Sequence, residues 1–310
     1  SQGKLSNFPA VRILARLNGA SIDDTGTTTS RPFYQPVSLG HLAGRRFHPQ
    51  RRTALDAWHR EAGAVMSHAG SWYRPEFYQQ QGKTREECIL AEAEGVRTGA
   101  GLIDVSTLGK IHVCGDQAAE FLEKIYTGRF KKQRTGTLRY GIACDETGVI
   151  IEDGVVARLA EDHFYLSATS GGAAAFYRNL QRWALQLGMQ VTLANATGQL
   201  AAVNLAGPMA REILQPLVEL DLSADAFPYL GVRQAELLGI PVTLLRVGFV
   251  GELGYEIHLP ASQAEHAWAS LLKQGSAAGL GAFGLEAQRL LRLEKGHLIV
   301  GHDTDALTNP

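Results

Sequence analysis

The stretch YGIACDETGVIIEDGVV, residues 140–156, places an acid and a phenol where chemistry is possible. It reads as strand, tight turn, strand, because Asp145 to Gly148 is turn chemistry between two apolar runs. A period of two in the second strand puts Val149, Ile151, Asp153, Val155 and Ala157 on one face. An acid set into an apolar row has to be paired, neutralised or used. The same letters allow a plainer outcome. Asp153-Gly154 is also a two-residue hairpin signal that would leave the acid exposed in a turn, and the local pattern leaves both open.

Two other stretches carry more polar and glycine signals than packing needs. In GFVGELGYE, residues 248–256, three glycines lie among two carboxylates, and Glu256 enters a strand on the face opposite Tyr255, Ile257 and Leu259. Further on come RLEKGH at 292–297 and GHDTD at 301–305. Each alone is weak, since glycine turns are common and Arg-Leu-Glu-Lys usually marks a solvated helix face. No metal site is expected. His297 and His302 are wrongly spaced for one helix face, no His-Glu-x-x-His occurs, and Cys88, Cys114 and Cys144 form no Cys-x-x-Cys pair. Such cysteine usage fits a reducing, cytoplasmic setting. Gly279, Gly281 and Gly284 match G-x-G-x-x-G. A dinucleotide site would need a strand just before them, whereas a helix is expected there, so these glycines are assigned to a turn between helices.

The elements that must hold these residues alternate between strand and helix. Helices are expected over 84–96, after Asp116 as N-cap with Ala118, Phe121, Leu122 and Ile125 on one face, over 173–187 and 209–217, behind a Ser262/Glu265 capping box, and over 285–295. Strands are expected within 102–113, at 163–167, 189–193, 200–205, 234–238, 240–247 and 254–260. Hairpins dominate and the pattern occurs twice, which favours an α+β fold with antiparallel sheets over a doubly wound parallel one. Residues 1–65 differ. Residues 10–17 could make a short helix, but the Thr- and Pro-rich 25–37 and the basic 41–52 form an extended arm that packs on something else. The start, SQGKL, has no signal-peptide core and no initiating Met, so a fragment or processed chain is expected.

Composition sets outer bounds. Of 310 residues, 45% are apolar and 20% charged, which is globular usage. The net charge of -1 gives no case for nucleic acid or anionic membrane, and no apolar run reaches membrane-spanning length.

Taken in order, GVRTGAGLIDVS (95–106), the Tyr140/Asp153 hairpin, GELGYE (251–256), LRLEKG (291–296) and GHDTD (301–305) resemble the aminomethyltransferase family, the glycine-cleavage T-protein and its folate-binding relatives. Within it, Trp72 followed by Arg74-Pro75, STLGKI (106–111), DGVVAR (153–158), TSGG (169–172), IVGHDTD (299–305) and the 25–37 arm are similar to the branch formed by alpha subunits of heterotetrameric sarcosine oxidase. The resemblance implies an aminomethyltransferase-like α+β fold with duplicated antiparallel-sheet subdomains around a central folate site. Residues 1–65 would be an arm from a preceding nucleotide-binding domain and 66–310 the folate-binding domain, ending at Pro310 before the family's C-terminal barrel. The ligand would be tetrahydrofolate. FAD, FMN and NAD would be present only in the complete complex, with a flavin-bearing beta subunit and small subunits as partners.

Residue by residue, the resemblance makes Asp153 the catalytic acid near folate N10 and N5. Tyr140 would line the site, and Thr169 stands where T-proteins carry an asparagine. Glu256 would take the donor edge of the pterin. Phe249 replaces a usual tyrosine, Glu152 replaces the first acid of the usual pair, and Gln288 replaces an arginine that contacts the folate tail, a role Arg292 could fill. The implied activity is oxidative demethylation of sarcosine with capture of the one-carbon unit as 5,10-methylenetetrahydrofolate. The alternatives are a free-standing glycine-cleavage aminomethyltransferase and a non-catalytic folate-fold assembly module.

Overall fold

The structure is a computed structural model that describes residues 51–310. The helix expected over 10–17 and the 25–37 arm lie outside the described residues. From residue 56 the order is α1 (Asp56–Glu61), β1 (Ala64–Ala69), β2 (Trp72–Tyr78), α2 (Arg85–Thr98), β3 (Gly101–Asp104), β4 (Gly109–Cys114), α3 (Ala118–Ile125), β5 (Thr137–Cys144), β6 (Ile150–Ala160), β7 (His163–Ala168) and α4 (Ala173–Gln186). Then follow β8 (Thr192–Asn195), β9 (Leu200–Ala206), α5 (Ala210–Leu214), β10 (Val232–Leu237), β11 (Ile240–Leu245), β12 (Gly254–Pro260), α6 (Ala264–Gly275), β13 (Gly281–Ala282) and α7 (Leu285–Lys295).

These strands make a β1-β2 ribbon, a six-stranded sheet in the order β10-β11-β12-β9-β3-β13 and a five-stranded sheet in the order β5-β6-β7-β4-β8. All pairings are antiparallel except β13 with β3. The architecture is mixed helix and sheet, with no closed barrel among the described residues. Helix α1 falls inside the stretch assigned above to the arm, and just before it Leu55 is fully buried in the core beneath the six-stranded sheet.

Period-two burial decides how the layers meet. Tyr255, Ile257 and Leu259 of β12 join Ala201, Val203 and Leu205 of β9 in a core closed by α5 and α6. The opposite face is divided. Ala202, Ala206 and Ile103 pack under α2 and α7 with Val96 and Leu291, while Leu245 and Val232 meet Leu138, Ala157 and Tyr165 of the five-stranded sheet. The far side of the five-stranded sheet is sealed by α3 and α4 through Phe121, Phe176 and Leu180.

Helix starts follow local chemistry in one expected place and depart from it in two. Thr84 and Glu87 form a reciprocal capping box at α2. Asp116 is not the cap of α3, which begins after Gln117 without a side-chain cap. The Ser262/Glu265 box is absent too. A short 3-10 turn at Ala261–Gln263 leads into α6 and takes up its first N–H groups differently.

The Asp153-Gly154 ambiguity is settled by strand pairing. The turn is at 145–148, where Gly148 has φ +87° and the Gly148 N–H reaches the Asp145 carbonyl at 3.1 Å. Asp153 and Gly154 lie mid-strand, opposite Ile142 and Gly141. Glycine is needed at 154 because a Cβ there would stand 2.0 Å from the Ser167 carbonyl oxygen on β7. Gly154→Ala should therefore cost about 1–3 kcal/mol or more through overpacking against backbone. An unchanged denaturant midpoint in this variant would contradict that close approach.

Candidate functional site

Asp153, Val155 and Ala157 share the face of β6 turned toward the six-stranded sheet, since Ala157 belongs to the seam between the sheets and Val155 packs against it. Tyr140 is directly opposite Val155 and so projects from the same face. Its hydroxyl donates to Asp153 Oδ2 at 2.6 Å. Burial raises the affinity of Asp153 for its proton, and the Tyr140 bond opposes that rise. Burial and the same hydrogen bond hold the phenol proton well above its ordinary range, so Tyr140 acts as a donor at neutral pH. Tyr140 is 49% exposed, which puts the pair at an accessible rim.

Glu256 lies across the seam on the divided face of β12, opposite Leu245 on β11 and Asn204 on β9. Its side chain is 14% exposed. Oε2 accepts from His258 Nε2 at 3.1 Å, and His258 Nδ1 is 2.8 Å from the Tyr165 hydroxyl. Among the described residues no donor is bonded to Oε1. Lys110 of β4 is fully buried nearby, with Nζ donating to the carbonyls of Ser106 at 2.8 Å and Leu108 at 2.9 Å. Burial pulls its ammonium down to about 8, opposed by the charges of Asp104 and Glu256.

The remaining candidate residues occupy different positions. Thr169 turns inward to Glu152, with its N–H on Oε1 at 2.9 Å and its hydroxyl on Oε2 at 3.0 Å. It also receives the Gly172 N–H ahead of α4. Phe249 is half-buried in the loop before β12 and stacks on His297, ring centroids 5.5 Å apart. Arg292 is buried and gives its guanidinium to both oxygens of Asp303 and to the His297 carbonyl, leaving Nε buried without a partner. Its charge therefore holds the segment after α7, and a contact with a ligand tail through this group would compete with Asp303.

Several ordered polar groups carry little signal in the sequence. His258 could be suspected only from the Glu256-Ile257-His258 spacing, which puts both polar side chains on one strand face, and Tyr165 carries no such signal. Glu152 sits on the α4 side of β6 at 1% exposure. There it lines a cleft of about 360 Å³ with Cys144, Phe176 and Arg182. A buried Asp104–His59–Tyr78 array ties α1 to the core, with His59 Nε2 3.2 Å from Asp104 and Nδ1 2.8 Å from the Tyr78 hydroxyl. All three side chains are sealed from solvent, so the array is a clamp rather than a reaction site. No cluster of three or more metal-ligating side chains occurs among the described residues, and no described helix is long and apolar enough to cross a membrane.

A family model for the GCVT N-terminal domain matches residues 55–310, and one for the sarcosine oxidase A3 domain matches residues 1–45. Sarcosine oxidase subunit alpha of Rhizobium meliloti is 42% identical over 306 residues, 96% of this chain and 31% of that protein. The Chlorobium phaeovibrioides aminomethyltransferase is 35% identical over 260 residues, 84% of this chain and 68% of that protein. Among solved structures, glycine cleavage system aminomethyltransferase T from Bartonella henselae aligns with a TM-score of 0.73 at 28% identity, covering 84% of this chain and 66% of that one. The chain spans about a third of the length of the sarcosine oxidase alpha subunits it matches.

Glu152 makes a testable pH signature. Burial is the main cause that lifts its carboxyl to about 7, and the neighbouring Asp153 charge adds to it. The folded chain therefore holds this proton to higher pH than the unfolded chain does. Its contribution to stability is fully present below the ordinary carboxylate value of 4.5 and falls as pH rises through about 7. The loss is about 3 kcal/mol. Glu152→Gln should remove that part of the decline between pH 5 and 8 in denaturant titrations. Equal losses in variant and parent would exclude this origin.

Proposed function

Since this chain belongs to the aminomethyltransferase family, we propose that it binds tetrahydrofolate for one-carbon transfer, as the folate-binding part of a sarcosine oxidase alpha subunit. The observation that carries the proposal is the Tyr140–Asp153 pair, an acid in an apolar row at an accessible rim with one oxygen held by a phenol. Among the described residues no other side chain donates to that carboxylate, so it retains acceptor capacity for a ligand amine. The sarcosine oxidase branch is favoured over a free-standing aminomethyltransferase by the A3-domain match at residues 1–45.

The donor set suits tetrahydrofolate. Glu256 offers a carboxylate with an open oxygen, able to accept two parallel hydrogen bonds from a guanidine-like ring edge. Tyr140 and Asp153 would place the folate amines, and Phe249 stacked on His297 would border the ring from the loop before β12. Thr169 would act through Glu152 and the start of α4, and Arg292 through the segment it holds. Oxidation of sarcosine would belong to a flavin outside this chain, and residues 1–65 would link to a preceding nucleotide-binding domain. The carbon of the oxidised N-methyl group would then pass to both folate nitrogens, its bond to the sarcosine nitrogen breaking and the two displaced folate N–H protons ending on that nitrogen, giving 5,10-methylenetetrahydrofolate and glycine. Asp153 would stabilise the developing cation or carry a proton from the attacking amine, at a depth where low dielectric strengthens its pull. Duplicated sheet subdomains around a central folate site belong to the same proposal.

The experiment is to assemble the full-length subunit into its complex and to measure amine oxidation and methylenetetrahydrofolate formation separately. Asp153→Asn should lower folate capture by about 100-fold or more while amine oxidation changes little. Equal loss of both activities would sink the division of labour. Failure of the parent complex to bind tetrahydrofolate would sink the proposal altogether.

A further inference from the structure

The array Tyr165–His258–Glu256 crosses from the five-stranded sheet to the six-stranded one. Tyr165 is 2% exposed and His258 also 2%. The Tyr165 ring packs on His112, centroids 4.9 Å apart, and meets His258 edge-on at 5.4 Å. The imidazole is thus enclosed between the Tyr165 ring and the Glu256 carboxylate.

The proton positions follow from donor and acceptor arithmetic. Burial and the Glu256 charge hold the phenol proton on Tyr165 far above neutral pH, so its hydroxyl is a donor. Burial likewise disfavours the imidazolium at His258 and outweighs the opposing pull of the Glu256 hydrogen bond and charge, with Lys110 adding to the burial effect. A neutral imidazole carries one proton. With Tyr165 donating to Nδ1, that proton lies on Nε2 and points at Glu256 Oε2. The opposite tautomer would set a lone pair against a carboxylate oxygen at 3.1 Å. Two groups around Glu256 act in the same sense: neutral His258 supplies a donor and Lys110 supplies positive charge from β4.

We propose that His258, backed by Tyr165, is a positioning residue that fixes Glu256 as a purely accepting carboxylate, so that the site selects a ring edge bearing two N–H donors. This rests on the tetrahydrofolate assignment above and adds the origin of its selectivity. Glu256 presents Oε1 and the remaining lone pair of Oε2 in one fixed plane. A ring edge that offers an acceptor, or lacks the exocyclic amine, leaves that carboxylate short of a partner in a poorly solvated place.

The test uses the assembled complex, 5-formyltetrahydrofolate as a stable probe, and the same compound without its 2-amino group. His258→Phe should weaken binding of 5-formyltetrahydrofolate by about 10-fold or more and change binding of the 2-deamino compound by less than about twofold, so that discrimination collapses. His258→Gln keeps an N–H near the position of Nε2 and should restore most of the discrimination. Tyr165→Phe deletes only the donor to Nδ1 and should give an intermediate loss. If His258→Phe fails to fold, as its thermal transition will tell, Tyr165→Phe decides. Discrimination unchanged in folded variants, or both compounds weakened equally, would overturn the proposal. Absence of binding by the parent complex would instead overturn the tetrahydrofolate assignment, before any variant is compared.

Discussion

The apolar seam between the two sheets is the constraint on which the site depends. Leu138, Ala157 and Tyr165 on one side close against Val232 and Leu245 on the other, all nearly inaccessible. Because side chains alternate along a strand, anchoring Ala157 in that seam also fixes which way Asp153 points, four residues back along β6. Anchoring Leu245 does the same for its cross-strand neighbour Glu256. Two carboxylates about a hundred residues apart thus face one region through ordinary packing. A slip of one residue in β6 would turn Asp153 toward α4 and Glu152 toward the seam. The contact of Gly154 with the Ser167 carbonyl allows only one register to close.

The buried and half-buried ionisable groups described above are of two kinds. Lys110, Asp104, Glu152 and Arg292 are held by protein groups: backbone carbonyls for Lys110, His59 and the Ser106 N–H for Asp104, Thr169 for Glu152, and Asp303 for Arg292, whose Nε alone stays unpartnered. Such groups brace loops and helix starts, and burial without those partners would cost several kcal/mol each. Asp153 and Glu256 differ. Each is held by a single side-chain donor, Tyr140 or His258, and each keeps an oxygen uncommitted. Acceptor capacity left over in this way is what the proposed ligand would use and what a brace lacks.

The sequence disclosed periodicity far better than partnership. Strand 254–260 and helix 285–295 appear at their expected limits, because alternation and the helical apolar stripe are dictated by burial, which the letters carry directly. The faces of β6 and β12 were legible for the same reason. Asp116 and Ser262 misled as caps because a single helix-turn residue competes with the turn geometry on either side of it. Tyr165 with His258, and Arg292 with Asp303, were not legible as pairs. Such contacts depend on how layers meet or how a chain end folds back, and no local period encodes that. Asp153-Gly154 illustrates the limit well: glycine serves both a turn and a close backbone approach, and only the neighbouring strand decides between them.

The adjacent acids 152 and 153 divide one electrostatic burden. Two ionised carboxylates on neighbouring residues repel, and burial adds to the cost of each. Because they project from opposite faces, the environments differ. Glu152 is enclosed under α4, where it can bind its proton to about 7 while still receiving the Thr169 and Asp153 N–H groups. Asp153 stands at the rim with a phenol donating to it, which favours the anion against its partial burial. Burial raises the proton affinity of both acids, and at Asp153 the phenol opposes that rise while at Glu152 the Thr169 and Asp153 N–H groups do.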